Sequence, residues 1–489
     1  ALVVGGGSGH YPAFAGWVGP GIAHGSVCGN IFASPSASQA RSVIRAADNG
    51  AGTLMMFGNY AGDVLHFGQA AEQLRAEGYD IRIVEITDDI ASGTAENHLQ
   101  RRGIAGDFPV VKVVGAACAE GRSIDEVEAI ARHVNDRTRS LGVAFSGCTL
   151  PGATEPLFTV DEGTFGLGLG IHGEPGIATE KLGTADELAE LLVSKILEEE
   201  PARGVGGYEG RVAVLVNGLG ATKYEELFLL YGRIARLLRE ANVEIVSPVV
   251  DEQVTSLDMA GVSLTLTFLD EELEKYWVAP ADTPAFRSGA VESRGGAKRE
   301  VSAEAEEAIK AGAPESAKQA ERFAELLAEL EKTARAAEHD LGKMDSIAGD
   351  GDHGQGMVLG STAAAESARQ SVAGGAGART LLARAGAAWS EGAGGTAGAL
   401  WGGALARVGN GLSDEEAVDD TPIIAAVIGG AASIQEMGGA VVGDKTMVDA
   451  TVPFAQALEE SEGQTLAVAW DVAAEAAEKA AADTASFAA

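Results

Sequence analysis

The sequence predicts an α/β domain followed by an all-α domain. Over residues 1–287, short β-branched or apolar runs alternate with amphipathic stretches. Over residues 317–489 the chain is rich in alanine with helical periodicity, and nothing there alternates like a strand. At 489 residues the chain exceeds the size at which one hydrophobic core stops growing. Residues 288–316, which carry glycines and charges of both signs, are predicted to form a linker.

The elements of the first domain follow from these patterns. Its clearest candidate strands are residues 53–57, 81–86 and 212–216. Helical patterns come after the first and the third of them, at residues 70–77 and 223–239. This alternation is typical of α/β layering. Ala1–Val4 has the character of a β-strand that is entered midway. We therefore expect this sequence to lack its true beginning.

Composition excludes several classes of partner. The net charge of −35 disfavours nucleic acids and anionic membranes, because a polyanion is repelled by most of the surface. A phosphate site remains compatible with it, since backbone amides or a divalent cation can bind phosphate locally. The three cysteines have no metal-ligand spacing, and an odd number suits a reducing compartment. With no long apolar run and no signal peptide, we expect a cytoplasmic protein.

The candidate metal site is the sequence GDGDHG at residues 349–354, with Asp345 upstream of Asp350 and Asp352. Three carboxylates so close together repel one another unless a cation neutralises them, and carboxylate oxygens suit Mg²⁺. The glycines let backbone and metal approach closely. A solvated acidic loop is the alternative. The segment has neither the spacing nor the position-12 glutamate of a calcium-binding EF-hand.

Two glycine-rich turns are candidates for a phosphate or adenine pocket. They are residues 394–398, predicted to open a helix, and residues 438–447. Helix N-termini with exposed amides attract phosphates, although helix packing through small residues explains either turn equally well. No Walker GxxxxGK[ST] sequence is present, which excludes an ordinary P-loop.

Three polar loops of the first domain carry His10, Asp63 and His172, in GGGSGH, NYAGD and GIHGEPG. The first two loops follow strand-like runs, and ligands of α/β sheets bind where strands end. The glycines beside His172 leave its imidazole uncrowded. Each residue alone is equally well explained as part of a turn. Together, two histidines and an aspartate predict a convergent polar site.

In combination, these motifs resemble the dihydroxyacetone kinase family in its fused form. The resemblance rests on GGGSGH, CGNIFASP, NYAGD, GIHGEPG and VTSLDMAG in the first part, then GDGDHG, GGTAGALWG and GDKTMVDA in the second. It implies a ketose-binding domain of two α/β subdomains, followed by a nucleotide-binding antiparallel barrel of eight helices. It also implies a homodimer, with a site where the two domains face each other.

The resemblance implies phosphoryl transfer from ATP to the terminal hydroxyl of a short ketose. His172 would hold the ketone carbon as a hemiaminal, Asp63 would accept the proton of the attacking hydroxyl, and His10 would hydrogen-bond the sugar. Gly7 would bring a backbone group close to the substrate.

The same resemblance implies which residues of the second domain bind Mg²⁺ and the nucleotide. Asp345, Asp350 and Asp352 would hold two Mg²⁺ ions against the ATP phosphates. The positions that would line the nucleotide are His353, Gly395, Thr396, Ala397, Met437 and Gly438.

Three positions of the implied ketose pocket depart from the family pattern. Tyr11 and Phe14 stand where the family commonly has Glu and His, and Gly58 stands where it commonly has Lys. We interpret all three as substrate-binding positions. The absence of the Lys and His side chains, together with the glycine at position 58, is expected to open space beside Asp63. This predicts a substrate larger than dihydroxyacetone, such as the four-carbon erythrulose.

Two other functions fit the same resemblance. Some relatives cleave FAD as cyclising lyases, a reaction that needs the nucleotide domain and no hemiaminal. Relatives of the sugar-binding half act as non-catalytic ketose-sensing partners of regulators. The aspartate loop favours an enzyme, because a sensor needs no three metal-binding carboxylates.

Overall fold

The computed structural model describes residues 1–174, 176–290, 309–345, 351–461 and 463–487. These residues form two compact units, one within residues 1–290 and the other within residues 309–487. The first unit contains two β-sheets flanked by helices, and the second unit is helical. The predicted fold class, α/β followed by all-α, is therefore confirmed.

The first sheet has four parallel strands in the order β2–β1–β3–β4. Its strands are β1 Leu2–Ser8, β2 Gly25–Ile31, β3 Thr53–Gly58 and β4 Ile81–Ile86. The helices of this part of the chain are α1 Ala37–Ala47, α2 Ala61–Ala76, α3 Asp107–Glu120 and α4 Ile124–Asp136. Every residue of β3 is buried, as expected for a parallel strand covered on both faces.

The second sheet has seven strands, mostly antiparallel, in the order β10–β8–β11–β5–β6–β7, with β9 beside β8. Its strands are β5 Thr138–Ala144, β6 Thr164–Leu167, β7 Ala178–Lys181, β8 Arg211–Gly218, β9 Glu244–Ile245, β10 Val249–Asp251 and β11 Gly261–Leu269. The helices are α5 Ala185–Leu197, α6 Tyr224–Glu240 and α7 Glu271–Trp277. A short ribbon follows, made of β12 Ala281–Asp282 and β13 Arg287–Ser288.

Successive side chains of a strand point to opposite faces of the sheet, so the residues of β3 contribute to two different hydrophobic cores. Met55 and Phe57 of β3 pack with α1 and α2, whereas Leu54 and Met56 face the core that contains α3 and α4. Leu215 of β8 joins that same core from the second sheet. The opposite face of the second sheet packs against α5 and α6. The unit thus has the two α/β subdomains that were predicted, joined through a shared core.

The second unit has seven α-helices in the residues that the structure describes. They are α8 Pro314–Asp345, α9 His353–Ala373, α10 Ala378–Ala393, α11 Gly395–Asn410, α12 Asp420–Gly438, α13 Val448–Glu460 and α14 Leu466–Asp483. The eight-helix barrel stays a prediction. Helix α8 begins inside the predicted linker 288–316, and most of that linker, residues 291–308, lies outside the described residues.

Glycines let the helices of this unit approach closely. A Cβ added to Gly386 of α10 would lie 2.5 Å from the Gly402 carbonyl oxygen of α11, so neither position can carry a side chain without a shift. Helix packing through small residues therefore explains these two glycines. Among the described residues, no helix combines the length and apolar composition that crossing a bilayer requires.

Candidate active site

Residues 253–256, between β10 and β11, hold two of the predicted loops in place. The carbonyl oxygen of Thr255 lies 2.8 Å from His10 Nδ1, and the Ser256 hydroxyl donates to the carbonyl oxygen of Ile171. This segment is fixed in turn by Asn217 at the end of β8, whose Oδ1 accepts the amides of residues 253 and 254 at 2.8 and 2.9 Å. The His10 loop and the His172 loop are therefore anchored to the second sheet.

His10 and His172 meet through their ring nitrogens. Their Nε2 atoms lie 3.0 Å apart, and the two rings are nearly perpendicular. His10 is 2% exposed, and burial, followed by the charge of His172, lowers the pKa of His10 to about 3. His10 is consequently neutral at physiological pH. Its Nδ1–H donates to the Thr255 carbonyl, which leaves a lone pair on Nε2 facing His172.

Glu174 fixes the other side of His172. Its Oε1 lies 2.8 Å from His172 Nδ1, and its Oε2 accepts the backbone amide of His172 at 3.0 Å. Burial acts to raise the pKa of Glu174, but the His172 charge and hydrogen bond, with the charge of Arg102, lower it to about 2. Arg102 is held by Asp89 at 2.8 Å. The carboxylate of Glu174 therefore keeps a proton on Nδ1 of His172.

Two aromatic rings frame the histidines. Phe32 stacks on His10 with ring centroids 5.0 Å apart and meets His172 edge to face at 5.1 Å. Tyr60 contacts His172 edge to face at 4.9 Å, and its hydroxyl donates to the carbonyl oxygen of Gly103 at 2.8 Å. These contacts limit the rotation of the His172 ring.

Asp63 lies in the first turn of α2, directly after β3. It is 6% exposed, and its Oδ1 has no hydrogen-bond partner among the described residues. Burial raises the pKa of Asp63 to about 7, opposed by a hydrogen bond from Ser34 and by the charge of His172. A carboxylate with a free oxygen and a pKa near neutrality suits a general base.

The Tyr60 ring lies beside Gly58. A Cβ added to Gly58 would lie 3.0 Å from Cε2 of Tyr60 and 3.3 Å from the carbonyl oxygen of Gly103, so the Tyr60 ring occupies this position. The expectation that Gly58 opens space beside Asp63 stays a prediction. The glycine lets the Tyr60 ring lie against the end of β3.

The other predicted positions of the ketose site, Phe14, Tyr11 and Gly7, lie in different surroundings. Phe14 belongs to the hydrophobic core, where its ring lies against Gly6 and packs edge to face on Trp17, and its role as a substrate-binding position stays a prediction. The Tyr11 side chain is 60% exposed. A Cβ added to Gly7 would lie 2.9 Å from the amide nitrogen of Ala33, so Gly7 permits a close approach of two backbone segments.

In the helical unit, Asp345 ends α8 and Asp352 precedes α9. Oδ2 of Asp345 accepts the amides of Gly351 and His353 at 2.8 and 3.4 Å, which draws the start of α9 onto the end of α8. Asp350 lies outside the described residues. Asp345 and Asp352 supply the hard oxygen ligands that Mg²⁺ prefers, so they fit the predicted metal site.

The positions predicted to bind the nucleotide belong to helices that pack against one another. The end of α10 packs against the start of α9 through Gly392 and Leu359, and α11 begins directly after α10. The end of α12 lies along the first half of α11, where Gly438 contacts Leu400 and Met437 contacts Gly403. All six predicted positions lie at helix ends: the start of α9 (His353), the start of α11 (Gly395, Thr396 and Ala397) and the end of α12 (Met437 and Gly438).

Comparison with known protein families also divides the chain into an N-terminal and a C-terminal part. Residues 1–285 match the Dak1 domain, and residues 347–489 match the DAK2 domain. The chain also resembles the crystal structure of the dihydroxyacetone kinase from C. freundii in complex with AMP-PNP and Mg²⁺, at 30% identity and a TM-score of 0.54. That match covers 99% of this chain and 86% of the other.

The chain belongs to the dihydroxyacetone kinase family. Two curated relatives are from Mycolicibacterium smegmatis. An L-erythrulose 1-kinase is 55% identical over 98% of this chain and 85% of its own length, and a D-erythrulose kinase is 50% identical over 99% and 84%. As a member of the dihydroxyacetone kinase family, the chain is an ATP-dependent kinase with an alcohol as acceptor.

Several residues of this kinase site were not singled out from the sequence. They are Phe32, Ser34, Tyr60, Arg102, Glu174 and Thr255. Most of them lie in the motifs that carried the family resemblance, and Glu174 stands only two positions after His172. Their position inside those motifs was the available signal. Arg102 lies outside every motif, and only the fold brings it beside Glu174.

Proposed function

We propose that this kinase phosphorylates the terminal hydroxyl of a short ketose, dihydroxyacetone or erythrulose, while His172 holds the ketone carbon as a hemiaminal. The observation that carries the proposal is the pair of Nε2 atoms 3.0 Å apart, with Glu174 on one side and the Thr255 carbonyl on the other. The names of the two erythrulose kinases support a four-carbon substrate.

The hydrogen bonds assign the protons of the histidine pair. A carbonyl and a carboxylate only accept hydrogen bonds, so Nδ1 of each ring carries a proton. The contact between the two Nε2 atoms then needs one further proton, which gives the pair a positive charge that Glu174 balances. This shared proton lies where the ketone oxygen of a bound sugar would need it.

The addition of His172 to the ketone then needs no proton from an external acid. The Nε2 lone pair forms the C–N bond, the C=O π bond breaks, and the shared proton passes through His10 to the oxygen. The product is a hemiaminal whose imidazolium charge faces Glu174. Glycerol has no carbonyl group and cannot be held in this way.

Asp63 acts in the phosphoryl transfer. Its carboxylate takes the proton of the attacking hydroxyl as the new O–P bond forms, and the bond between the β- and γ-phosphates breaks to release ADP. The helical unit binds ATP at the six nucleotide positions. Asp345, Asp350 and Asp352 would hold two Mg²⁺ ions, which offset the charge of the transferring phosphoryl group when bound. A homodimer and a cytoplasmic location stay predictions.

A panel of acceptors tests the proposed function. ADP release is measured with ATP and Mg²⁺ in the presence of dihydroxyacetone, L-erythrulose, D-erythrulose or glycerol. We expect turnover with ketoses and roughly 10²-fold or greater loss with glycerol, because glycerol gains no orientation from a covalent bond. Equal turnover on glycerol would contradict the hemiaminal. No ADP release with any ketose would contradict the kinase assignment.

Replacing Glu174 by glutamine should impair the positioning of His172. The neutral amide can accept only one of the two hydrogen bonds that Glu174 accepts from His172, and it carries no charge to stabilise a protonated imidazole. The Nδ1–H form of His172 is therefore held less firmly. We expect kcat on the preferred ketose to fall about 10–100-fold, as when other histidine-orienting partners are removed. Glu174→Asp should recover part of the loss. A pH–rate profile unchanged from wild type would show that Glu174 has only a structural role.

A further inference from the structure

Arg102 places one guanidinium group between two carboxylates. Its Nε and Nη2 both donate to Oδ2 of Asp89, at 3.1 and 2.8 Å. A Cβ added to Gly170 would lie 2.9 Å from Nη1 of Arg102 and 2.0 Å from Oε2 of Glu174, so the third nitrogen borders the second carboxylate. This second carboxylate is the one that accepts the hydrogen bonds of His172.

The turn after β4 holds Arg102 on the Asp89 side. The Arg102 amide donates to the Ser92 hydroxyl oxygen at 2.9 Å, and the Arg102 carbonyl oxygen accepts the Asp89 amide at 3.1 Å. Oδ1 of Asp89 accepts the amide of Ala91 at 3.0 Å, and the Asp89 side chain is 2% exposed. A carboxylate buried to this degree needs an opposite charge, and a guanidinium is always protonated. The position of the guanidinium is therefore set independently of Glu174.

Arg102 meets the His172 loop at two points. Its Nη2 donates to the carbonyl oxygen of Gly168 at 3.3 Å, where the loop leaves β6, and its Nη1 borders Glu174 farther along. Gly170 lies between these points, and its missing side chain leaves room for the guanidinium and the carboxylate. Because Glu174 accepts both the Nδ1–H and the amide of His172, whatever fixes this carboxylate also orients the imidazole.

The neighbouring Arg101 belongs to a different ion pair. Its Nη1 and Nη2 donate to Glu199, just after α5, at 2.8 and 2.6 Å, and Nε of Arg139 donates to the same carboxylate at 2.8 Å. Within the described part of the chain, the hydrogen bonds of the Glu199 carboxylate go to these two arginines. This cluster connects segments of the fold without reaching the histidines, so it supplies a control.

We propose that Arg102 is a positioning residue for the kinase reaction, which holds the Glu174 carboxylate against the imidazole of His172. The imidazole is thereby oriented for its addition to the ketone. This inference rests on the proposed function. Without the guanidinium, the carboxylates of Asp89 and Glu174 repel each other, and Glu174 turns away from the histidine. A lysine supplies the charge but lacks the planar fork that contacts one carboxylate while presenting a further nitrogen to the other.

The test combines Arg102→Ala with chemical rescue. We expect kcat/KM for the preferred ketose to fall about 10–100-fold, as when other histidine-orienting partners are removed, while KM for ATP stays the same. The Arg102 side chain is 17% exposed, so a free guanidinium ion can reach the place that it leaves. Millimolar guanidinium chloride should restore part of the lost rate, and uncharged urea should not. Arg102→Lys should lose less activity than Arg102→Ala.

Arg139→Ala is the matched control, because its side chain is 13% exposed and also pairs with a carboxylate. It should lower the melting temperature, leave the ketose kinetics unchanged and show no response to guanidinium. Gly170→Ala displaces the ends of both side chains without removing a charge, and the φ angle of Gly170 is outside the left-handed region. It should lower kcat/KM for the ketose even if Arg102→Ala does not fold.

Wild-type ketose kinetics in Arg102→Ala or in Gly170→Ala would overturn the assignment of Arg102 alone. Equal rescue of Arg102→Ala by urea and by guanidinium would do the same, because a charged partner would then not be what Glu174 requires. Absence of ketose turnover in the wild-type protein would overturn the proposed function and this assignment with it.

Discussion

Asp63→Asn is expected to reduce kcat on the preferred ketose by about 10³-fold, because it removes the base that takes the proton of the attacking hydroxyl. The asparagine has nearly the same shape and can still accept the hydrogen bond from Ser34. Binding of the ketose should therefore change much less than kcat. Steady-state kinetics with the ketose varied at saturating ATP separates the two effects.

The pH dependence of the wild-type enzyme should identify the same group. The base must be ionised, and burial raises the pKa of Asp63 to about 7, so kcat/KM should rise with pH and level off above about 7. Ser34→Ala is the control variant. The Ser34 hydrogen bond lowers the pKa of Asp63, so its removal should move the midpoint of the profile to higher pH. A midpoint that stays in place would contradict the role of Asp63.

Asp63→Asn should also make the protein more stable in mild alkali. The folded state binds the Asp63 proton more tightly than the unfolded state does, since the pKa rises from 3.8 to about 7 on folding. Stability from this proton is fully present below about pH 4 and is lost as the pH rises through 7. The variant escapes that loss, which is on the order of 4 kcal/mol at pH 8, at about 1.4 kcal/mol for each unit between the two pKa values. Thermal melts at pH 5 and pH 8 should show a clearly larger advantage of the variant at pH 8.

The sequence could predict the polar loops, because their residue types are unusual and their glycines mark turns. His10 and His172 are far apart along the chain, and the prediction that they converge agrees with the 3.0 Å contact of their rings. The all-α character of the second unit was equally readable from composition, since long alanine-rich stretches permit no alternating strand.

Other features could not be predicted because they depend on packing between distant segments. Phe14 was interpreted as a substrate-binding position from the family pattern, which cannot show that its ring packs in the hydrophobic core beside Trp17. The sequence likewise could not show that the Tyr60 ring lies 3.0 Å from the position of a Cβ at Gly58.

His172→Ala is expected to abolish detectable ketose phosphorylation, a loss of at least about 10³-fold. The variant loses the covalent bond that orients the terminal hydroxyl, and with it the proton that the histidine pair supplies to the ketone oxygen. Coupled ADP release checks the rate. His10→Asn is the control, because it leaves His172 in place as a nucleophile and should retain more activity than His172→Ala.

A measurement independent of turnover decides whether the bond itself forms. With a ketose labelled with ¹³C at the carbonyl carbon, wild-type protein should move the resonance from the ketone region to that of a carbon bonded to both oxygen and nitrogen. His172→Ala should show only the ketone signal. If the shifted signal persists in that variant, the nucleophile is another residue. If it is absent from a fully active wild-type protein, His172 acts through hydrogen bonding alone, and the selectivity against glycerol must come from how the site binds the carbonyl oxygen.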